Sequence, residues 1–250
     1  MLTLALTGVW VALTFEILGL LGPDWGLYPP ATCLGTHCFC ENPRTGAMLL
    51  QPANSWSSFG FVLVGSWIML GAASRPGSAL KGLPALWFGF TAIVIGVGSV
   101  ALHATLTLWG QFADVLGMYL LGSFTLAWAV FRWRGLSPVA AIALYLVVAT
   151  ALIGLLWVVP ETRRWLFAVL LVVALAVEWW GARPRRPGAR PHLLLLGLAA
   201  NILAFAIWIL DQTRTVCAAD SLVQGHAAWH LLGAVAVAFS YAYYRSEDRA

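Results

Sequence analysis

The stretch GSVALHATLTLWGQFAD, residues 98–114, holds Ser99, His103 and Asp114 among apolar neighbours. A second stretch, GHAAWHLLGA at 225–234, holds His226 and His230. On a helix, residues four apart lie on one face, one turn from each other. His226 and His230 therefore share a face, as do Ser99 and His103. A pair of imidazoles one turn apart suits a shared metal ion, and His103 can supply a third nitrogen. Three protein nitrogens and one open position are the usual arrangement of a catalytic zinc. Ser99 and Asp114 then stand beside that position, with Asp114 returning to it after a short turn at Gln111–Phe112. Ionisable groups inside a membrane are costly and mark functional sites by default.

The elements that position these residues are apolar helices. The chain has 250 residues, 61% of them hydrophobic and only 10% charged, with a mean hydropathy of +0.84. Soluble domains are about one quarter charged. A spanning helix needs about 20 mostly apolar residues. Seven such stretches run near 54–74, 84–106, 112–131, 138–159, 163–181, 192–210 and 223–244. An eighth covers residues 1–22 and carries Glu16 but no Lys or Arg. It reads as an extra hydrophobic helix, with a signal-like anchor as the alternative. The expected fold is all-α: a polytopic seven-transmembrane-helix bundle, residues 54–244, with one extra N-terminal helix. Residues 23–53 form an external loop and 245–250 a cytoplasmic tail.

Basic residues orient the bundle. Ten (Arg75, Lys81, Arg132, Arg134, Arg183, Arg185, Arg186, Arg190, Arg245 and Arg249) fall on one side and four (Arg44, Arg163, Arg164 and Arg214) on the other. The C-terminus is expected in the cytoplasm and the histidines near the outer face. His103, Asp114, Asp211, His226 and His230 then reach one depth from four different helices. His192 and His37 fall outside this cluster. The net charge of +4 is a topology signal, and no basic soluble module suggests nucleic acid as a partner. Nearly all the basic residues are Arg, a bias of GC-rich bacterial sequences, so a bacterial inner membrane is the expected location. Cys33, Cys38, Cys40 and Cys217 all fall on the outer side, where disulfides persist. A bridge from the 23–53 segment to the Cys217 loop is plausible, with free thiols as the alternative.

The Ser99–His103–Asp114 spacing and the C-terminal His226–His230 pair resemble the seven-helix membrane hydrolases related to alkaline ceramidases and adiponectin receptors. CEN (Cys40, Glu41, Asn42), then ANSWSS (with Asn54, Ser55 and Ser57), and WILD followed by a cysteine (Trp208, Asp211, Cys217) resemble the alkaline ceramidase branch. The resemblance covers about residues 38–245. It implies a zinc-dependent amidase acting on ceramide-like membrane lipids, with no obligatory protein partner. His103, His226 and His230 would hold zinc, and Asp114 and Ser99 would face the attacking water. Asp114 would be the general base. Asp211 would orient a ligand histidine or, alternatively, pair with Arg214. Hydrolysis of another lipid bond, or a receptor-like protein with structural zinc, are the rival readings; short cytoplasmic loops argue against the receptor.

The same resemblance implies a calcium site built around a DWCExN-like motif. Here the motif reads CFCEN. Cys38 and Phe39 stand where Asp and Trp are expected, Gln51 where a later acid would fall, and Ser58 where an Asn would follow. Calcium wants oxygen ligands and carboxylate charge. Glu41 and Asn42 leave at most a weak calcium site. Glu41 is otherwise a solvated loop carboxylate or a partner of Arg44.

Overall fold

The computed structural model describes residues 1–36, 38–72, 78–182 and 188–248. His37 and the basic residues Arg75, Arg183, Arg185, Arg186 and Arg249 lie outside the described residues. The protein is all-helical. Among the described residues eight long helices run as α1 (Leu2–Leu21), α2 (Pro52–Gly71), α3 (Gly82–Thr105), α4 (Leu108–Arg134), α5 (Pro138–Val158), α6 (Arg163–Ala176), α7 (Pro191–Gln212) and α8 (Gly225–Ser246). A π-helical turn, Val177–Ala182, extends α6.

Among the described residues six segments are long and apolar enough to cross a membrane: α1, α3, α4, α5, α7, and Pro160–Ala182, which contains α6. The chain is thus a multi-pass membrane protein. The apolar stretches expected at 54–74 and 223–244 coincide with α2 and α8, which do not meet that measure. Both carry polar side chains on buried faces: Asn54, Ser55 and Ser58 on α2, and His226 and His230 on α8. Lipid does not see these faces, so the two helices can be less apolar than their neighbours.

The helices pack in an arc. α3 is central, between α2 and α4; α8 lies on α2, and α7 on α8. On the other side α5 and α6 lean on α4, while α1 packs outside α2 and α3. Small residues let these backbones approach, as is usual in membranes. A Cβ at Gly65 would lie 2.5 Å from the Gly89 carbonyl across the α2–α3 seam. A Cβ at Gly98 would collide with the Ala113 carbonyl, so only glycine lets α4 sit this close to α3.

The α3–α4 turn is shorter than the sequence suggested. Leu106 closes α3 in the left-handed region, at φ 49°. Its carbonyl accepts from Ala31 N at 2.8 Å. Thr107 then caps α4 by accepting from Gly110 N. Gln111 and Phe112 are therefore not a loop; they belong to the first turns of α4.

At the opposite end of the bundle lies a buried ionic cluster that sequence reasoning missed. Glu178, in the π-helical turn, is fully buried and pairs with Arg132 at 2.5 Å. It also accepts from Tyr243 Oη at 2.8 Å. The Arg132 guanidinium stacks over the Tyr244 ring, 5.1 Å from its centroid, and reaches Glu247 at 3.3 Å. These contacts tie α4, α6 and α8. Breaking a buried ion pair from one side costs about 3–5 kcal/mol, because the remaining charge is left unpaired. Glu178→Leu should therefore lower the thermal stability of the detergent-solubilised protein strongly. Adding Arg132→Met should recover part of the loss, measured by unfolding of the single and double variants. Equal stability of wild type and Glu178→Leu would show that the pair does not hold the helices together.

Candidate metal centre and active site

Three buried histidines meet where α3 ends and α8 begins. His103 and His230 are fully buried and His226 nearly so. Each offers one nitrogen, and the three atoms lie within 4.8 Å of one another. His103 Nε2 and His226 Nε2 are 3.2 Å apart. Among the described residues this is the only group of three or more metal-ligating side chains so placed.

The hydrogen bonds behind the rings decide which nitrogen carries a lone pair. The Gln51 amide donates to the Glu41 carbonyl at 2.7 Å. A carbonyl only accepts, so the atom facing it is the NH2. Gln51 Oε1 therefore faces His103 Nδ1, at 2.9 Å, and that nitrogen must carry the hydrogen. His103 Nε2 is left with its lone pair. His230 follows the same logic. The Ser57 and Ser58 hydroxyls donate to the Asn54 carbonyl. With their protons used, they accept from His230 Nδ1 at 2.9 and 3.3 Å. His230 Nε2 is then free to accept, and Ser99 Oγ lies 3.1 Å from it. Two lone pairs thus turn inward, and a partner on the far nitrogen is the usual companion of a metal-ligating histidine. His226 Nδ1 has no hydrogen-bond partner. Its ring is held instead between Trp229, stacked at 5.3 Å, and Phe39, at 4.0 Å between centroids. A set of three imidazoles with convergent nitrogens fits zinc.

Asp114 reaches the cluster from α4. The close approach at Gly98 brings the second turn of α4 against α3, and the Asp114 carboxyl interacts with the Ser99 hydroxyl. Asp114 is only partly buried. Arg163 and Arg164, at the start of α6, act on it electrostatically. Arg163 donates to Thr32 Oγ1 and the Pro160 carbonyl. Arg164 donates to Gln212 Oε1 at 2.7 Å, joining α6 to α7, the two ends of the arc.

Asp211 is at the site, where it holds a candidate ligand histidine by its backbone and not by its ring. It accepts from His226 N at 3.0 Å and from Cys40 N at 3.2 Å. It therefore fixes the first turn of α8 to the segment before α2, where a carboxylate also complements the helix dipole. It touches no imidazole ring, and no ion pair with Arg214 forms. Glu41 is not solvated either. It is 3% exposed, and its carboxylate accepts from Ala53 N at 2.8 Å and Asn54 N at 2.9 Å, capping α2. Burial pushes its carboxyl above the usual range, against the pull of those two amides and of Arg44. Asn42 donates to Asp220 at 3.0 Å. His192 lies exposed near the start of α7, apart from the cluster.

All four cysteines are bridged, as Cys33–Cys38 and Cys40–Cys217. The second is the bridge anticipated between the 23–53 segment and the Cys217 loop. Gln51, Ser57 and Ser58 were not foreseen as partners of the histidines. The signal available for them was a run of hydrogen-bonding side chains at the start of an otherwise apolar helix.

Three imidazoles should hold about one zinc per chain. Elemental analysis of purified protein checks this, and His230→Ala should hold far less. Wild-type zinc content in that variant would exclude His230 as a ligand.

A search of curated proteins finds no match. The family model named Ceramidase matches residues 36–248, almost the whole chain. The match spans all three histidines, Ser99 and Asp114, and leaves out α1. The chain belongs to the Ceramidase family.

Proposed function

We propose that this protein is a zinc-dependent membrane amidase that hydrolyses the N-acyl bond of ceramide-like lipids to a sphingoid base and a fatty acid. The observation that carries the reading is the convergence of three imidazoles beside Ser99 and Asp114 in a chain of this family. His103, His226 and His230 would hold the metal. Zinc so held polarises a carbonyl and makes water a better nucleophile near neutral pH.

The chain's own groups supply the rest. Water adds to the amide carbon and the C–N bond breaks. Asp114 is suited to take the proton from water and return it to the departing nitrogen, as a general base and then acid. Ser99 stands between Asp114 and His230 and can orient the water. It is unsuited to act as a covalent nucleophile, because the only imidazole near its hydroxyl is a proposed metal ligand. The acyl chain would lie among apolar helices, as lipid tails require.

We also propose that this end of the bundle faces outward and that the C-terminus is cytoplasmic. The ten-to-four division of basic residues supports this. So do the two disulfides, which lie at the histidine end and suit a compartment outside the cytosol. Reporter fusions after Arg134 and after Arg190 should both read as cytoplasmic. An external signal from either reverses the orientation.

Asp114→Asn should keep the zinc but lose amide hydrolysis by about 10²–10⁴-fold, the usual worth of a general base. Ser99→Ala should cost less, since another donor can orient water. Turnover of ceramide followed by chromatography, together with zinc content, tests both. Near-wild-type turnover by Asp114→Asn assigns the proton transfer elsewhere. Loss of zinc along with activity makes Asp114 a support of the metal instead.

A further inference from the structure

The family resemblance calls for calcium in the loop before α2, yet the residues at the motif positions are otherwise engaged. Cys38 is bridged to Cys33 and Cys40 to Cys217. Between them the Phe39 ring lies 4.6 Å from His103 and 4.0 Å from His226, centroid to centroid. The Glu41 carboxylate is spent on two backbone amides of α2. Asn42 is bonded to Asp220 and, through its backbone, to Ala219. Gln51, in the place of an acid, bonds the Glu41 carbonyl with one end of its amide and His103 with the other. Its backbone N–H also donates to the His103 carbonyl at 2.9 Å. A hard dication needs several carboxylate or carbonyl oxygens turned toward one point. Among the described residues no acidic group of three is assembled anywhere.

We propose that a covalent and amide brace has replaced calcium in this chain, and that Gln51 is the positioning residue through which the brace acts on His103. The brace runs from the α7–α8 loop across the Cys40–Cys217 bridge, through Glu41, to the Gln51 amide. It ends on His103 Nδ1. It fixes the ring's orientation and keeps the Nε2 lone pair directed at His226 and His230. The affinity of the three histidines for zinc then depends on Gln51 and on the disulfide, and is indifferent to calcium. This inference rests on the reading of the histidines as metal ligands.

The test uses the full chain in detergent. Zinc affinity is measured by competition with a chromophoric chelator, in buffer stripped of divalent ions, with and without millimolar calcium chloride. Gln51→Leu should bind zinc about 10–100-fold more weakly, the usual loss when the partner behind a ligand histidine is removed. Gln51→Glu keeps an acceptor for His103 but loses the donor to the Glu41 carbonyl, so its zinc affinity should fall between those of wild type and Gln51→Leu. Cys40→Ser with Cys217→Ser should weaken zinc binding in the same direction. Calcium should shift neither zinc affinity nor melting temperature. A calcium-dependent rise in either, or wild-type zinc affinity in Gln51→Leu, would overturn the proposal. A metal-free arm separates its failure from that of the metal reading. In ¹⁵N-histidine NMR of the apoprotein, His103 should be protonated at Nδ1, and should lose that preference in Gln51→Leu. Protonation of wild-type His103 at Nε2 overturns the proposal whether or not zinc binds.

Discussion

An imidazole taken out of water has two nitrogens to satisfy, and the architecture of this bundle follows from how that is done. Leaving a buried polar group unpaired costs about 1–3 kcal/mol. For His103 and His230 the outer nitrogen is paired by groups on or just before α2: Gln51 for one, Ser57 and Ser58 for the other. The inner nitrogens are then the ones left to converge. α2 is therefore more than a wall. It lies between α3 and α8, the two helices that carry the histidines, and its first turns set the orientation of both rings. Its N-terminal residues have to be polar for this, which is why it falls short of the hydropathy of its neighbours.

The two ends of the bundle use buried polarity differently. At the histidine end most groups are neutral, hydrogen-bonded and backed by disulfides. At the other end a full ion pair, Arg132 and Glu178, is shielded by tyrosine rings. Such a pair adds little net stability over a hydrophobic substitute, but it rejects arrangements that would separate its members. α4, α6 and α8 are thereby held in one register at one end, while the seam between α6 and α7 is bridged at the other by Arg164 and Gln212.

The helices and the histidine cluster were legible in the sequence because both obey a period. Apolar runs of about 20 residues announce spans, and a spacing of four announces a shared face. Residues whose partners lie far along the chain were not legible. Glu41 reads as a loop carboxylate, yet it caps a helix beginning eleven residues later. Asp211 reads as a helix-end charge, yet it fixes Cys40, 171 residues away. Gln51 registered only as a missing acid. Glu178 sits in an apolar run, and nothing local tells that Arg132 and two tyrosines will surround it. The start of α4 was misjudged because a Gln–Phe pair resembles a turn, while the true turn is made by a leucine in a left-handed conformation that its side chain does not announce.

His103 and His230 belong to helices that meet chiefly through a third, and His226 lies 123 residues beyond His103. This has a bearing on biosynthesis. α8 leaves the ribosome after α1–α7, so until it emerges the chain has one histidine of the three and no centre. A partly inserted copy lacks the proposed metal centre, which can form only once α8 has packed on α2.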